Sequence, residues 1–218
     1  MSKVKVRMGI LGGSFDPIHF GHIKPSIELA EKFQLSSIKL IPCKISPFKD
    51  TTFASAEHRW NMISIIAGSS DLFIADNREL QRNTPSYSYE TLREIAQELA
   101  STAKLFWIMG EDALQGFPKW YEAEKIMQLC HVLVMRRPGN DTAVDETAQQ
   151  WLNQYLCHDS EQLENTDCGH IYITDTEMHD ISSTQIREIV QSGQQPRYLL
   201  PGGVWNYIKR NELYQSTI

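Results

Sequence analysis

Apolar positions along this chain follow two alternating rhythms. Short, dense runs of strand length are separated by longer stretches in which apolar residues recur every three or four positions. Val4, Val6, Met8 and Ile10 alternate with other residues and end in Leu11-Gly12-Gly13, which predicts a strand running into a tight turn. Further strands are predicted over 37–41 and 72–75. The dense runs at 104–109, 131–135 and 171–174 have the character of strands buried on both faces. Helical spacing predicts helices over 21–33, with Ile23, Ile27, Leu29 and Ala30 inward, and over 56–67, with Trp60, Ile63 and Ala67 on one face. A helix over 88–100 carries Leu92, Ile95, Ala96 and Leu99, and others are predicted over 121–129, 144–156, 183–192 and 204–211.

Strands alternating with helices predict an α/β fold: a Rossmann-like, doubly wound parallel sheet with helices on both faces. Ligands of such sheets bind beyond the carboxyl ends of the strands, so motifs just after strands are the ones to read for chemistry. The expected organisation is a single domain over 1–218, with a small C-terminal helical part from about 183. Polar loops are expected at 42–53 and 138–142, the first as a mobile cover over a bound ligand.

Composition changes this picture only by exclusion. A formal net charge of -6 argues against a nucleic acid as the partner, since such proteins carry a basic footprint. No apolar run is long enough to span a membrane, and the amino-terminal apolar run is short and broken by glycine, unlike a signal peptide. Cys43, Cys130, Cys157 and Cys168 contain no CxxC pair, and a reduced, cytoplasmic protein is the simplest reading. Cys157, His158, Cys168 and His170 do not have zinc-like spacing, so no metal site is expected. Self-association is left open.

Two motifs carry chemistry. The first, Gly12-Gly13-Ser14-Phe15-Asp16-Pro17-Ile18-His19-Phe20-Gly21-His22, follows the first strand and opens the first helix. Glycines let a backbone approach a ligand closely, and a helix start offers unpaired N–H groups to an anion. His19 and His22, three residues apart, project to one side and can donate to phosphate oxygens. The second, Ile181-Ser182-Ser183-Thr184-Gln185-Ile186-Arg187, follows the last strand. Ser182 and Gln185 fit a capping box, which explains one hydroxyl structurally. Three hydroxyls with Arg187 a turn later also fit a second polyphosphate cradle.

His-x-Gly-His after the first strand, with Ser-Ser-Thr-x-Ile-Arg near the end, resembles the nucleotidyltransferase superfamily. The strings GGSFDPIHFGH, RNTPSYSYETL, IMGEDAL, FPKWYEAEKI, RRPG and ISSTQIRE extend the resemblance over nearly the whole chain, to the bacterial nicotinate-nucleotide adenylyltransferases. That resemblance implies an enzyme that moves AMP from ATP, with Mg2+, onto nicotinate mononucleotide. It implies that Gly12, Gly13, Ser14 and Phe15 wrap the nucleotide phosphates and that His19 and His22 contact them through the transition state. Gly110 and Asp112 would lie near adenine and ribose. Ser182, Ser183 and Arg187 would hold the β- and γ-phosphates. Ser88, Trp120 and Tyr121 would form the nicotinate pocket, with Lys49 and Arg136 on the acceptor side.

Plainer readings stand beside these. Trp120-Tyr121 also reads as an aromatic anchor for the following helix, and Asp112 as the cap of a short helix after the strand at 104–109. Arg136 and Arg137 also read as a solvated pair. The chain departs from the family at Ser46-Pro47-Phe48-Lys49: a histidine is usual where Phe48 stands, and Lys49, with Lys44, would have to supply the charge. Other phosphate acceptors (nicotinamide mononucleotide or phosphopantetheine), a ligase using the same turn, and a silent nucleotide sensor stay as alternatives.

Overall fold

The structure, a computed structural model, describes residues 5–45, 52–136, 146–174, 176 and 180–215. The chain opens with β1 (Val6–Gly13), α1 (Phe20–Lys32), β2 (Ser37–Pro42), α2 (Ala56–Ala67) and β3 (Phe73–Ala75). It continues through α3 (Arg78–Gln81), α4 (Ser88–Leu99), β4 (Ala103–Gly110), α5 (Glu111–Leu114), α6 (Ala123–Met127) and β5 (His131–Met135). Next come α7 (Glu146–Tyr155), β6 (Leu156–Cys157), α8 (Glu161–Asn165), β7 (Ile171–Thr174), α9 (Ser183–Gln191) and α10 (Gly202–Arg210).

The seven strands form one sheet in the order β3-β2-β1-β4-β5-β7-β6, and every pairing is parallel. The chain winds outward from β1 to β3, then returns to place β4 on the other side of β1. Strand order therefore reverses between β1 and β4, and the crevice beyond their carboxyl ends is where such sheets bind ligands. Period-two alternation splits β4 between two cores: Phe106 and Ile108 on one face of the sheet, Leu105, Trp107 and Met109 on the other. Burial on both faces explains why β4 reads as one unbroken apolar run.

Three sequence expectations need correction. Ile27 is 37% exposed, because α1 buries the stripe Ile23, Ser26, Leu29 and Ala30 instead. In α2 the buried stripe is Arg59, Met62, Ile63 and Ile66, leaving Trp60 and Ala67 on its flank. The helix expected from 121 starts at Ala123, since Glu122 takes a left-handed φ of 56°. The short elements α3, α8 and β6 escaped the sequence reading because four, five and two residues are too few to display a period.

Polar contacts brace the sheet at both ends. Asp76, just after β3, accepts hydrogen bonds from Arg78 and Lys39. Burial works to raise its pKa, but these two cations outweigh it and hold the carboxyl at about 2. Arg78 also reaches Glu98 of α4, while the buried Glu79 accepts from Thr91 at 2.6 Å. Burial pushes the Glu79 carboxyl up. These bonds fix the segment between α3 and α4. At the opposite, amino end of the sheet, His131 donates Nε2–H to the Thr166 carbonyl at 3.1 Å and accepts at Nδ1 from His170 N–H at 3.3 Å. Only the neutral ring makes both bonds. Burial accordingly pulls its pKa down to about 4.

Candidate active site

The first turn is shaped by a close approach. A Cβ on Gly12 would stand 2.9 Å from the Trp107 ring, so β1 can lie against β4 here only as glycine. Phe15 then takes φ 49°, a left-handed conformation costing a non-glycine residue of order 1–3 kcal/mol. Its ring, 2% exposed, is held by the core. The turn is braced from α2, where Arg59 is buried and its Nη1 donates to the Ser14 carbonyl at 2.8 Å. Cys43, at the end of β2, donates its N–H to the Gly13 carbonyl and lies with Sγ 3.9 Å from Ser14 Oγ.

His19 caps α1. Its Nδ1 accepts from Gly21 N–H at 3.1 Å, which places the proton of the neutral ring on Nε2 as a donor. The His22 ring lies 3.9 Å from that of His19, centroid to centroid, so the two imidazoles form one surface at the start of α1. Gly21 cannot be larger: a Cβ would come within 2.8 Å of the Ile181 carbonyl and 2.9 Å of the His19 ring.

The same contact shows that the second motif lies against the first. Ser183 donates to the Pro17 carbonyl at 3.0 Å, and Arg187 Nη1 donates to the Asp16 carbonyl at 2.7 Å. Arg187 also donates to Thr184 Oγ1. Ser182 accepts from Gln185 N–H at 3.1 Å and so caps α9, as the capping-box spacing predicts. Two helix starts, α1 and α9, thus meet beside the β1 turn with two imidazoles and a guanidinium. The first N–H groups of α1 are already engaged, Phe20 with the Leu199 carbonyl and Gly21 with His19 Nδ1, so at this start the imidazoles, Arg187 and the positive end of the helix dipole, rather than free amides, are what can face an anion.

On the β4 side, Gly110 ends the strand and the Asp112 carboxylate turns back over its Cα. No side chain caps α5, so the reading of Asp112 as its cap is corrected: the carboxylate lies beside the Gly110 Cα instead. Trp120 is half-buried, edge-on to Phe117 at 5.1 Å and to Trp107 at 6.4 Å. It is therefore anchored in the core as well as set on the site side of β4. Tyr121, 48% exposed, packs on Tyr87 at 4.7 Å and edge-on to Tyr89, which brings it to Ser88 at the start of α4. The segment before Ser88 is tied to the end of β2, since Ser86 Oγ accepts from Lys44 N–H and Lys44 Nζ donates to Asn83. Arg136 is exposed just past β5. Lys49, Phe48 and Arg137 lie outside the described residues.

Sequence reasoning missed Arg59 and Asp16. A signal for Arg59 existed: it occupies the first position of the stripe 59, 62, 63, 66, where a charge has no reason to be unless it is buried with a partner. Asp16 was read only as part of a string. Among the described residues no three His, Cys, Asp or Glu side chains gather as a metal site. Nor is any described helix long and apolar enough to cross a membrane.

A doubly wound parallel sheet with a glycine turn, a histidine pair and a second helix start at its switch point defines a nucleotide-binding α/β protein. Comparison with known proteins narrows the class. A family model described as "Cytidylyltransferase-like" matches residues 10–189. A Shigella boydii protein named "Probable nicotinate-nucleotide adenylyltransferase" is 38% identical over 213 residues, covering 97% of this chain and 100% of the relative. A Klebsiella pneumoniae protein of the same name is 39% identical over 206 residues, covering 94% and 95%. Among solved structures, Plasmodium falciparum nicotinic acid mononucleotide adenylyltransferase complexed with NaAD superposes with a TM-score of 0.69 at 20% identity, covering 97% of this chain and 98% of that one. The same enzyme complexed with APC gives 0.67 at 18% identity, covering 95% and 96%. The chain belongs to the cytidylyltransferase-like family, among the nicotinate-nucleotide adenylyltransferases.

Proposed function

We propose that this protein transfers AMP from ATP to nicotinate mononucleotide, giving nicotinate adenine dinucleotide and pyrophosphate, a step of NAD biosynthesis in the cytoplasm. The 5′-phosphate of the mononucleotide attacks the α-phosphorus of ATP in line. An oxygen–phosphorus bond forms as the bond to the β-phosphate oxygen breaks, and pyrophosphate leaves with that electron pair. The attacking phosphate is already ionised at neutral pH, so the site needs no general base. Its task is to position two anions and neutralise charge that builds up between them.

The observation that carries this reading is the junction of the two motifs. Ser183 and Arg187 bond to carbonyls of Pro17 and Asp16, beside His19 and His22, at the switch point of the sheet. On this reading the Gly12–Phe15 turn wraps the phosphates while His19, through Nε2–H, and His22 donate to the oxygens of the reacting α-phosphate. Ser182, Ser183 and Arg187 hold the departing pyrophosphate from the start of α9. Gly110 and Asp112 border adenosine. Trp120, Tyr121 and Ser88 enclose the nicotinate ring, Trp120 by stacking, with Arg136 and Lys49 toward its phosphate. Mg2+ would arrive with ATP as its counterion and would supply charge neutralisation at the phosphates, alongside His19, His22 and Arg187.

The test is to incubate the protein with ATP, Mg2+ and either nicotinate mononucleotide or its amide, following pyrophosphate and dinucleotide. Turnover that favours the acid is expected. ATP binding without pyrophosphate release from either acceptor would defeat the reading.

A further inference from the structure

Asp16 sits at the centre of the motif junction, and its polar atoms are fully engaged by parts of the chain remote from it. Its side chain is 4% exposed. Oδ1 accepts from Ala54 N–H at 3.1 Å and from the Tyr214 hydroxyl at 2.7 Å, while Oδ2 accepts from Phe53 N–H at 2.6 Å. The Asp16 carbonyl accepts from Arg187. Arg187 in turn lies 4.2 Å above the Phe53 ring, so Phe53 touches both the carboxylate and the guanidinium. One residue thus joins the β1 turn, the residues leading into α2, α9 and the segment after α10.

Among the described residues, the donors on the carboxylate are all neutral groups. Had Arg187 met the Asp16 carboxylate, its charge would be consumed in an ion pair. Instead a hydroxyl and two amides satisfy the carboxylate, and Arg187 spends one N–H on a carbonyl and one on Thr184. A guanidinium has five N–H donors, so this arrangement fixes the plane of Arg187 while leaving its charge for an anion.

We propose that Tyr214 is a positioning residue for the transfer reaction: by donating to Asp16, the segment after α10 sets where Arg187 and residues 53–54 stand. Burial, and then the adjacent Asp16 carboxylate, push the Tyr214 hydroxyl upward, so it stays protonated and donating throughout the working pH range. The proposal rests on Arg187 contacting the polyphosphate, as read above. Tyr214 touches no substrate; it acts through Asp16 and Arg187.

The experiment is a double-mutant cycle with steady-state kinetics on ATP, Mg2+ and nicotinate mononucleotide. Tyr214→Phe keeps the buried ring and removes only the donor. It is expected to lower kcat about tenfold, the scale of a small misplacement of a catalytic group, and to raise KM for ATP but not for nicotinate mononucleotide. In an Arg187→Ala background the same substitution should have no further effect on rate. Tyr207→Phe removes another hydroxyl near the carboxyl end, one that bonds His58 and Asn61. It should lower the melting temperature and leave kcat unchanged, separating a general loss of stability from the effect claimed. Tyr214→Phe turning over within twofold of the parent, or losing the same factor again in the Arg187→Ala background, would overturn the proposal. Undiminished turnover by Arg187→Ala alone would instead overturn the phosphate-site reading on which it rests.

Discussion

His19 shows how much chemistry one backbone bond can fix. Because Gly21 N–H occupies Nδ1, the ring carries its proton on Nε2 as a donor without needing to be charged. His22, its ring tilted 39° to that of His19 with centroids 3.9 Å apart, lies beside it. His22→Ala is expected to lower kcat by about 10²- to 10³-fold, the scale of losing a transition-state donor, with little change in melting temperature. Pyrophosphate release read beside a thermal scan distinguishes this from a structural histidine, which would lower both. Gly21→Ala should behave differently. Its methyl would meet the Ile181 carbonyl and the His19 ring at once, spreading the two motifs apart. Activity should fall about 10²-fold and ATP affinity with it, a loss that equilibrium binding of ATP can register.

At the scale of elements, the site is a meeting of the starts of α1 and α9, and α2 braces it through Arg59. Arg59→Met keeps most of the buried volume and removes the donor to the Ser14 carbonyl. Leaving that carbonyl without its partner should cost about 1–3 kcal/mol, and urea unfolding measures it directly. The Gly12–Phe15 turn should loosen too, so KM for ATP is expected to rise. Elements also mark where the sequence was readable. The long strands and helices were legible because period two and period 3.6 repeat several times in eight or twelve residues. The motif turns were legible because glycine, serine and histidine after a strand have few structural uses together. The bracing was not. Arg59 hides in an amphipathic helix that reads as ordinary, and the bonds on Asp16 come from residues 37, 38 and 198 positions away, which no local pattern encodes. The inward face of α1 differs at Ile27 because Ile23, Ile27, Leu29 and Ala30 in a helix fit more than one stripe.

Across the whole molecule, the two ends of the sheet respond to pH for separate reasons. His131, at the amino end, has its pKa lowered from 6.5 to about 4. Above pH 6.5 the ring is neutral folded or unfolded, and its contribution is complete. As pH falls from 6.5 toward 4 the unfolded chain takes up a proton that the native ring refuses, so stability drops, by about 1.4 kcal/mol per unit and about 3 kcal/mol in all. Asp76 acts later, its carboxylate adding stability above pH 3.8 that is lost as pH falls toward 2. Urea unfolding between pH 7 and 4 should show the first decline in the parent and a flatter profile in His131→Gln, whose side chain does not titrate. His131 lies at the amino end of the sheet, away from the carboxyl edge, so ATP affinity measured on the folded protein should not follow its transition.

The lengths of the strands carry one more consequence. β1 and β4, eight residues each, stand inside the sheet, while the strands at its two borders, β3 and β6, have three and two. A border strand exposes unpaired amides and carbonyls onto which a second chain can add, and a short one offers too few to seed that growth. Placing the longest, most apolar strands innermost therefore guards a large parallel sheet against aggregation in a crowded solution.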